Sequence, residues 1–312
     1  MRRCTLITVM LLAGSALAQA QSSQGIKWQT DPQQAIALSQ QTKLPILFYV
    51  LAGSGDRDND IERAQRQALS DPRVLMLSQR FIPVRLSRSK HRDLLEGFYL
   101  RKHSNMEMSF VTPDGKQLGN LSTGGVANAD SLSQKMALVF NTYRQQLFEQ
   151  ELKPIVDKAD ASPAELRQVL GVIQNFTIVG ADGSLCNLVK RKGLDKQTLN
   201  LCYEVLAHLS TKTSVQKLLE LSFDGDIKAT QALTKCTPAA AETMLDQLVT
   251  EDGLVRLDIY KACAKICQIK SVKSDKWWNN AKPQLFDKEI NRVTEIVRET
   301  SARWKILNEE YR

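Results

Sequence analysis

The sequence predicts an α/β domain followed by an all-helical region. Three observations carry that expectation. A continuous apolar run with aromatic and β-branched members, ILFYVL at 46–51, stands between two stretches of helical spacing, as a strand buried on both faces does. A second run, FIPVRL at 81–86, and a third at 108–111, followed by the turn Thr112-Pro113-Asp114-Gly115, supply the rest of a small sheet. From Ser162 onward the pattern is helical, with no strand hairpin.

The elements follow in order. Asp31 caps a first helix and Pro32 takes its first position, where a missing N–H is harmless. Lys43-Leu44-Pro45 ends it, and the strand at 46–51 follows. Residues 52–58 form a turn. Ile61, Ala64, Ala68 and Leu69 recur at helical spacing over 60–70, and Asp71-Pro72 interrupts that helix before Val74, Leu75 and Leu77 continue its apolar face. After the strand at 81–86, the basic stretch SRSKHR at 87–92 reads as a solvated loop, and Leu94, Leu95, Phe98 and Tyr99 form a short helix. The strand at 108–111 turns back through 112–115 into a fourth at 116–119. A long helix at 129–149 directs Leu132, Met136, Val139 and Phe140 inward.

The order helix, strand, helix, strand, helix, strand, strand, helix resembles that of the thioredoxin fold. The likeness rests on quotable residues. Trp28, Asp31, Ala35 and Ala37, then Lys43-Leu44-Pro45-Ile46-Leu47-Phe48, resemble the entry of secreted bacterial thioredoxin-like proteins. Leu69-Ser70-Asp71-Pro72-Arg73-Val74 and Phe81-Ile82-Pro83-Val84 resemble the segment after their active-site helix. Ser109-Phe110-Val111-Thr112-Pro113-Asp114-Gly115-Lys116 resembles their hairpin. The resemblance covers about residues 26–148. It implies a thioredoxin-like domain there, with a helical domain at 150–312 joined through a helical connection near Glu149.

Two departures from the family bear on chemistry. Redox-active members place Cys-x-x-Cys at the strand-to-helix turn, where a helix N-terminus acidifies the first thiol. Here the corresponding positions are Gly55 and Asp58, or Arg57 and Asp60, and no thiol is present. Active members also carry a cis-proline before the third strand. That position falls on Met106, or on Glu107 in a shorter register, and a cis bond before a non-proline residue costs about 3 kcal/mol, so a trans bond is expected. Ser54, Asp56, Arg57 and Asp58, with Met106 facing them, become the candidate binding residues of a degenerate site.

Asp56, Asp58 and Asp60 alternate as oxygen ligands do at the start of a calcium loop, but position six would be Ile61 and position twelve Gln67. Capping of the following helix is the better account of these acids. No metal site and no cofactor is expected.

The second half opens with Ser162-Pro163-Ala164-Glu165, a capping box with proline at the first helical position. Helices are expected at 196–209, 214–221, 227–236, 238–249, 254–269 and 287–311. The strings EVLAHLSTK, QALTKCTPA and ACAKICQIK recur about thirty residues apart, with Ala and Cys mid-helix where helices approach closely. That period resembles HEAT-like repeats, and an irregular helical bundle fits the same pattern. Trp277-Trp278 is expected to cover the end of the core.

Residues 1–20 read as a secretory signal peptide: Arg2 and Arg3, a short apolar run, then small residues at Ala16, Ala18 and Ala20. The product is expected to be periplasmic or extracellular, with no transmembrane segment. Beyond Cys4 there remain Cys186, Cys202, Cys236, Cys263 and Cys267, an odd number in a compartment that permits disulfides. Their apolar contexts suit burial. Cys263 and Cys267, flanked by Lys261 and Lys265, are the candidate pair for a thiol–disulfide enzyme or redox sensor. The formal charge is +8 with only 6% aromatic residues, and the cations are not clustered with aromatics, so nucleic-acid binding is not expected. The leading functional expectation is a non-catalytic exported scaffold with a protein or peptide partner.

Overall fold

The computed structural model describes residues 25–51, 59–87, 90–91, 93–94, 106–250 and 253–308. The expected signal peptide at 1–20 and most of the helix expected at 94–99 lie outside the described residues.

Helix α1, Pro32–Thr42, is capped by Asp31, whose carboxylate accepts from the N–H groups of Gln33 and Gln34. Lys43 ends it in the left-handed conformation, φ 64°. Strand β1, Ile46–Leu51, follows, then α2, Asn59–Leu69, and α3, Pro72–Ser78, with Asp71 and Pro72 making the break as expected. Strands β2, Ile82–Ser87, β3, Met106–Val111, and β4, Gln117–Ser122, complete a four-stranded mixed sheet of order β2-β1-β3-β4. β1 runs parallel to β2 and antiparallel to β3, and β3 and β4 form the hairpin. Phe48 thus lies between Val84 and Ser109. Gly115 turns the hairpin at φ 89°, a region that favours glycine.

Alternation along β1 divides the core. Ile46, Phe48 and Val50 join Ile82, Val84, Leu86 and Ala35 on the α1 face. Leu47 and Tyr49 join Met108 and Phe110 on the other, which α2, α3 and the long helix cover. The short helix α4, Thr123–Val126, leads into that long helix, α5, Ala129–Leu147. Leu132, Met136, Val139 and Phe140 are all buried on it, as expected.

The chain does not leave the sheet through a flexible linker. α5 passes through a π-helical turn, Phe148–Leu152, directly into α6, Lys153–Asp157. The helical half then runs α7, Pro163–Phe176; α8, Asp182–Leu188; α9, Lys196–Leu209; α10, Lys212–Phe223; α11, Ile227–Leu233; α12, Pro238–Thr250; α13, Gly253–Ile266; α14, Asp275–Asn280; and α15, Pro283–Asn308. Ser162 and Glu165 form both bonds of the capping box. α10 starts two residues before the expected position because Thr211, not a later residue, caps it, bonding to Ser214. α15 starts at Pro283 rather than 287, and α11 ends at Leu233, before Cys236.

α15 packs back along α12: Val293 and Val297 are fully buried, and Glu242 accepts from Ser301 at 2.9 Å and Lys305 at 2.7 Å. Trp278 sits edge-on to Tyr260 and to Phe286, closing the last helices. One apolar cluster runs unbroken from Leu47 in the sheet to Val297 in α15, so both halves share a core. Among the described residues no helix is long and apolar enough to cross a membrane.

Candidate functional site

The carboxyl end of β1 is where open α/β sheets bind ligands, and it adjoins the turn singled out in the sequence. Ser54, Asp56, Arg57 and Asp58 lie outside the described residues. Met106 opens β3 opposite Ser122, and its side chain also lies outside them. Among the described residues no peptide bond is cis.

Three polar side chains gather beside this end of the sheet. The Tyr49 hydroxyl donates to Gln65 Oε1 at 3.1 Å. Gln65 Nε2 donates to Glu107 Oε2 and, at 3.4 Å, to the Thr123 carbonyl. Tyr49, Gln65 and Glu107 are 7%, 6% and 8% exposed. Each comes from a different element, β1, α2 and β3, and Thr123 opens α4.

A β-bulge brings Glu107 here. Between the pairs Met106–Ser122 and Met108–Leu121, β3 spends two residues against one of β4. A bulge re-aims the side chain it inserts. Glu107 therefore joins the α2 face beside Met108, whereas regular alternation would have turned these neighbours to opposite faces. On β1, Tyr49 lies directly opposite Met108.

Trp28 backs the cluster, its ring 5.4 Å from that of Tyr49, with the Arg85 guanidinium 5.1 Å from the indole centre. Backbone bonds from Gln29 N to Pro83 O, 2.7 Å, and from Arg85 N to Gln29 O, 3.1 Å, fix Trp28 at the sheet edge. Burial, and next the nearby Glu107 carboxylate, push the Tyr49 phenol above its ordinary value, so it stays a neutral donor. The arrangement holds a carboxylate, an amide and a phenol in one buried chain whose members partner one another. None of the three is an activated nucleophile.

The cysteines occupy a different setting. None of the five described forms a disulfide. Cys263 is fully buried, its Sγ 4.0 Å from the Ala241 carbonyl, and burial pushes its thiol far up. Cys267, just past the end of α13, is raised to about 11 by burial. Burial likewise raises Cys186 to about 11 and Cys202 to about 12. Lys261 is turned to Asp275 at 2.9 Å. The accessible, acidified thiol that a redox role for Cys263 and Cys267 requires is found at neither position, because both sulfurs are buried and raised. Among the described residues no three metal-ligating side chains gather as a metal site.

Sequence reasoning named Glu107 only as an alternative register for proline, and missed Tyr49 and Gln65. Tyr49 sits inside an apolar run and reads as core. Its hydroxyl was the available signal, since a buried tyrosine oxygen needs a partner.

Comparison of the chain with protein-family models, with curated proteins and with solved structures finds no significant match.

Proposed function

We propose that this chain is an exported, non-catalytic binding protein: a thioredoxin-like scaffold that has lost its redox chemistry, carried on a helical region of HEAT-like character. The observation that carries the reading is the buried Tyr49–Gln65–Glu107 chain at the end of β1, where the resemblance would seat a thiol pair and a facing proline. The strand order and the mixed parallel and antiparallel pairing support the scaffold. The sequence Gly53-Ser54-Gly55-Asp56-Arg57-Asp58 supports the loss of thiols. The small residues Ala229, Ala232, Ala240, Ala241 and Ala262, all buried between successive helices, support a stacked array.

In this reading the degenerate end of the sheet presents a protein or peptide partner with polar acceptors rather than sulfur. Two measurements test it together. In an insulin-reduction assay the purified protein gives no turnover above the dithiothreitol blank, and turnover abolished by mutating a cysteine would overturn the reading. A photo-crosslinking residue at Ser54 traps a protein from the periplasmic fraction. A Ser54 probe that traps nothing, while the same probe at Ile306 does, moves binding away from this end and also overturns it.

A further inference from the structure

A second polar groove lies far along the chain from the Tyr49 cluster, between the loop at 271–274 with Trp277 on one side and the first half of α15 on the other. It encloses about 1000 Å³. We propose that this groove binds a short neutral oligosaccharide.

The wall is built rather than incidental. Glu289, 5% exposed, accepts from the Tyr260 hydroxyl at 2.9 Å and from Arg292 through both carboxylate oxygens, at 2.6 and 2.9 Å. Arg292 also donates to the Ser271 carbonyl at 2.8 Å, and the Lys273 N–H donates to the Tyr260 hydroxyl at 2.7 Å. These bonds tie the loop to the helix, so the groove exists before any ligand arrives, and preorganisation of this kind favours binding.

The chemistry of the lining selects the ligand class. Sites for apolar small molecules are lined mostly by hydrophobic side chains. Here only Trp277 and Leu285 are apolar among the eleven lining residues. Three cations, Lys273, Lys288 and Arg292, stand against three carboxylates, Asp287, Glu289 and Glu295, so the groove has no net charge with which to attract a polyanion or a polycation. What remains is a dense set of donors and acceptors. Gln284, Asp287, Lys288, Asn291 and Glu295 are all exposed on one side of α15, at spacings of three and four that align them along the groove. Asp287, Lys288 and Glu295 form no ion pair with a described residue. Amides, carboxylates and an ammonium supply both donors and acceptors, as a row of hydroxyls demands. Leu285, 52% exposed, and the edge of the half-buried Trp277 indole, with the parallel Phe286 ring 6.5 Å away, offer the apolar contact that the C–H groups of a sugar ring need. Lys273 Nζ lies over the Trp277 ring, 5.6 Å from its centre, and supplies a further donor there.

The test is calorimetric titration of the full chain with maltotriose, cellotriose and tri-N-acetylchitotriose, beside tetra-aspartate and tetralysine peptides. At least one neutral trisaccharide binds with a Kd of about 1 mM or tighter, and the variants Asn291→Ala and Glu295→Ala, both at exposed positions, each weaken it about tenfold or more. Trp277→Ala abolishes binding; because it touches the aromatic cluster, its circular dichroism is compared with that of the parent, and the two exposed variants decide if it misfolds. Absence of heat with all three sugars overturns the proposal. So does sugar binding that survives both exposed variants, or a charged peptide binding more tightly than any sugar. The proposal stands independently of the reading of the Tyr49 cluster, since none of these variants lies near that end of the sheet.

Discussion

Arg144 on α5 donates from one guanidinium nitrogen to two carbonyls at the end of α7, Phe176 O at 3.1 Å and Thr177 O at 2.8 Å. The last carbonyls of a helix have no partner of their own, and here a side chain from the sheet-bearing half satisfies them. The same guanidinium lies 5.8 Å from the Phe140 ring centre, and Phe140 stacks on Phe176 at 5.8 Å with planes 11° apart. One arginine therefore caps a helix and clamps the two halves. Arg144→Met keeps the aliphatic bulk and removes both donors, and it should destabilise the chain by about 2–3 kcal/mol. In urea, far-ultraviolet dichroism, which follows the helices, and the fluorescence of Trp28, which follows the sheet once Trp277, Trp278 and Trp304 are replaced by Phe, should change together. Separate transitions would show that the shared core does not couple the halves.

At the candidate site the amide is the keystone. Gln65 accepts from Tyr49 and donates to Glu107, so its loss strands two buried groups while loss of the hydroxyl strands one. Tyr49→Phe should therefore cost about 1 kcal/mol and Gln65→Leu about 2–4 kcal/mol in urea unfolding. In the double variant the two costs should sum to more than the measured loss, because the hydroxyl has already lost its acceptor. Simple additivity would mean that the Tyr49–Gln65 bond contributes nothing to stability.

How much of this was legible follows from which signals are local. The helix at 196–209 was read to the residue because Asp195 is a capping side chain placed directly before an apolar-periodic stretch, and it does accept from Gln197 and Thr198. The strand at 46–51 was legible because the run is short, rich in aromatic and β-branched residues, and bounded by Pro45 and Gly53, which together favour a buried strand over a helix. The helix Asp182–Leu188 was missed: Gly180 and Gly183 flank its start and hide its period. The site was the least legible part. Glu107 reaches Gln65 only through an inserted residue in a strand pair, a property of two strands in register that neither strand's sequence carries alone. Cys263 and Cys267 illustrate the reverse case, since local apolar context foretold their burial without any knowledge of the fold.

Gln268 offers a stabilising substitution. It ends α13 in the left-handed region, φ 53°, where its N–H bonds to Lys265 O and that of Ile269 to Ala264 O. Its side chain is exposed and makes no described hydrogen bond. A residue with a Cβ is strained in that conformation and glycine is not. Gln268→Gly should stabilise the chain by about 0.5–1 kcal/mol, after allowing for the greater freedom of glycine in the unfolded state. Differential scanning calorimetry reads this as a raised Tm. A lowered Tm would mean that the glutamine side chain contributes something beyond the cap.

The thiols and phenols fix the direction of the alkaline response. Burial raises Cys202 from an ordinary 9.0 to about 12, and Cys186 and Cys267 from 9.0 to about 11. Burial also raises Tyr143, whose hydroxyl donates to Lys43 O at 2.6 Å, and Tyr203, which donates to Asp226 at 2.7 Å. For each group the protonated form is favoured more in the folded state than in the unfolded one. The stability they contribute is therefore complete below the ordinary thiol value and is lost as pH rises from there through the folded values. Urea midpoints should hold steady up to about pH 8 and fall above about pH 9, each thiol contributing at most about 1.4 kcal/mol per pH unit. Lysines that hold surface ion pairs lose charge in the same range, so the parent alone does not isolate the thiols. Cys202→Ala does: it lowers stability at neutral pH by vacating a fully buried site, and it flattens the decline between about pH 9 and 11 because one group no longer ionises on unfolding. Parallel curves for the two proteins across that window would mean that the Cys202 thiol ionises alike in both states, and that its burial has no consequence for protonation.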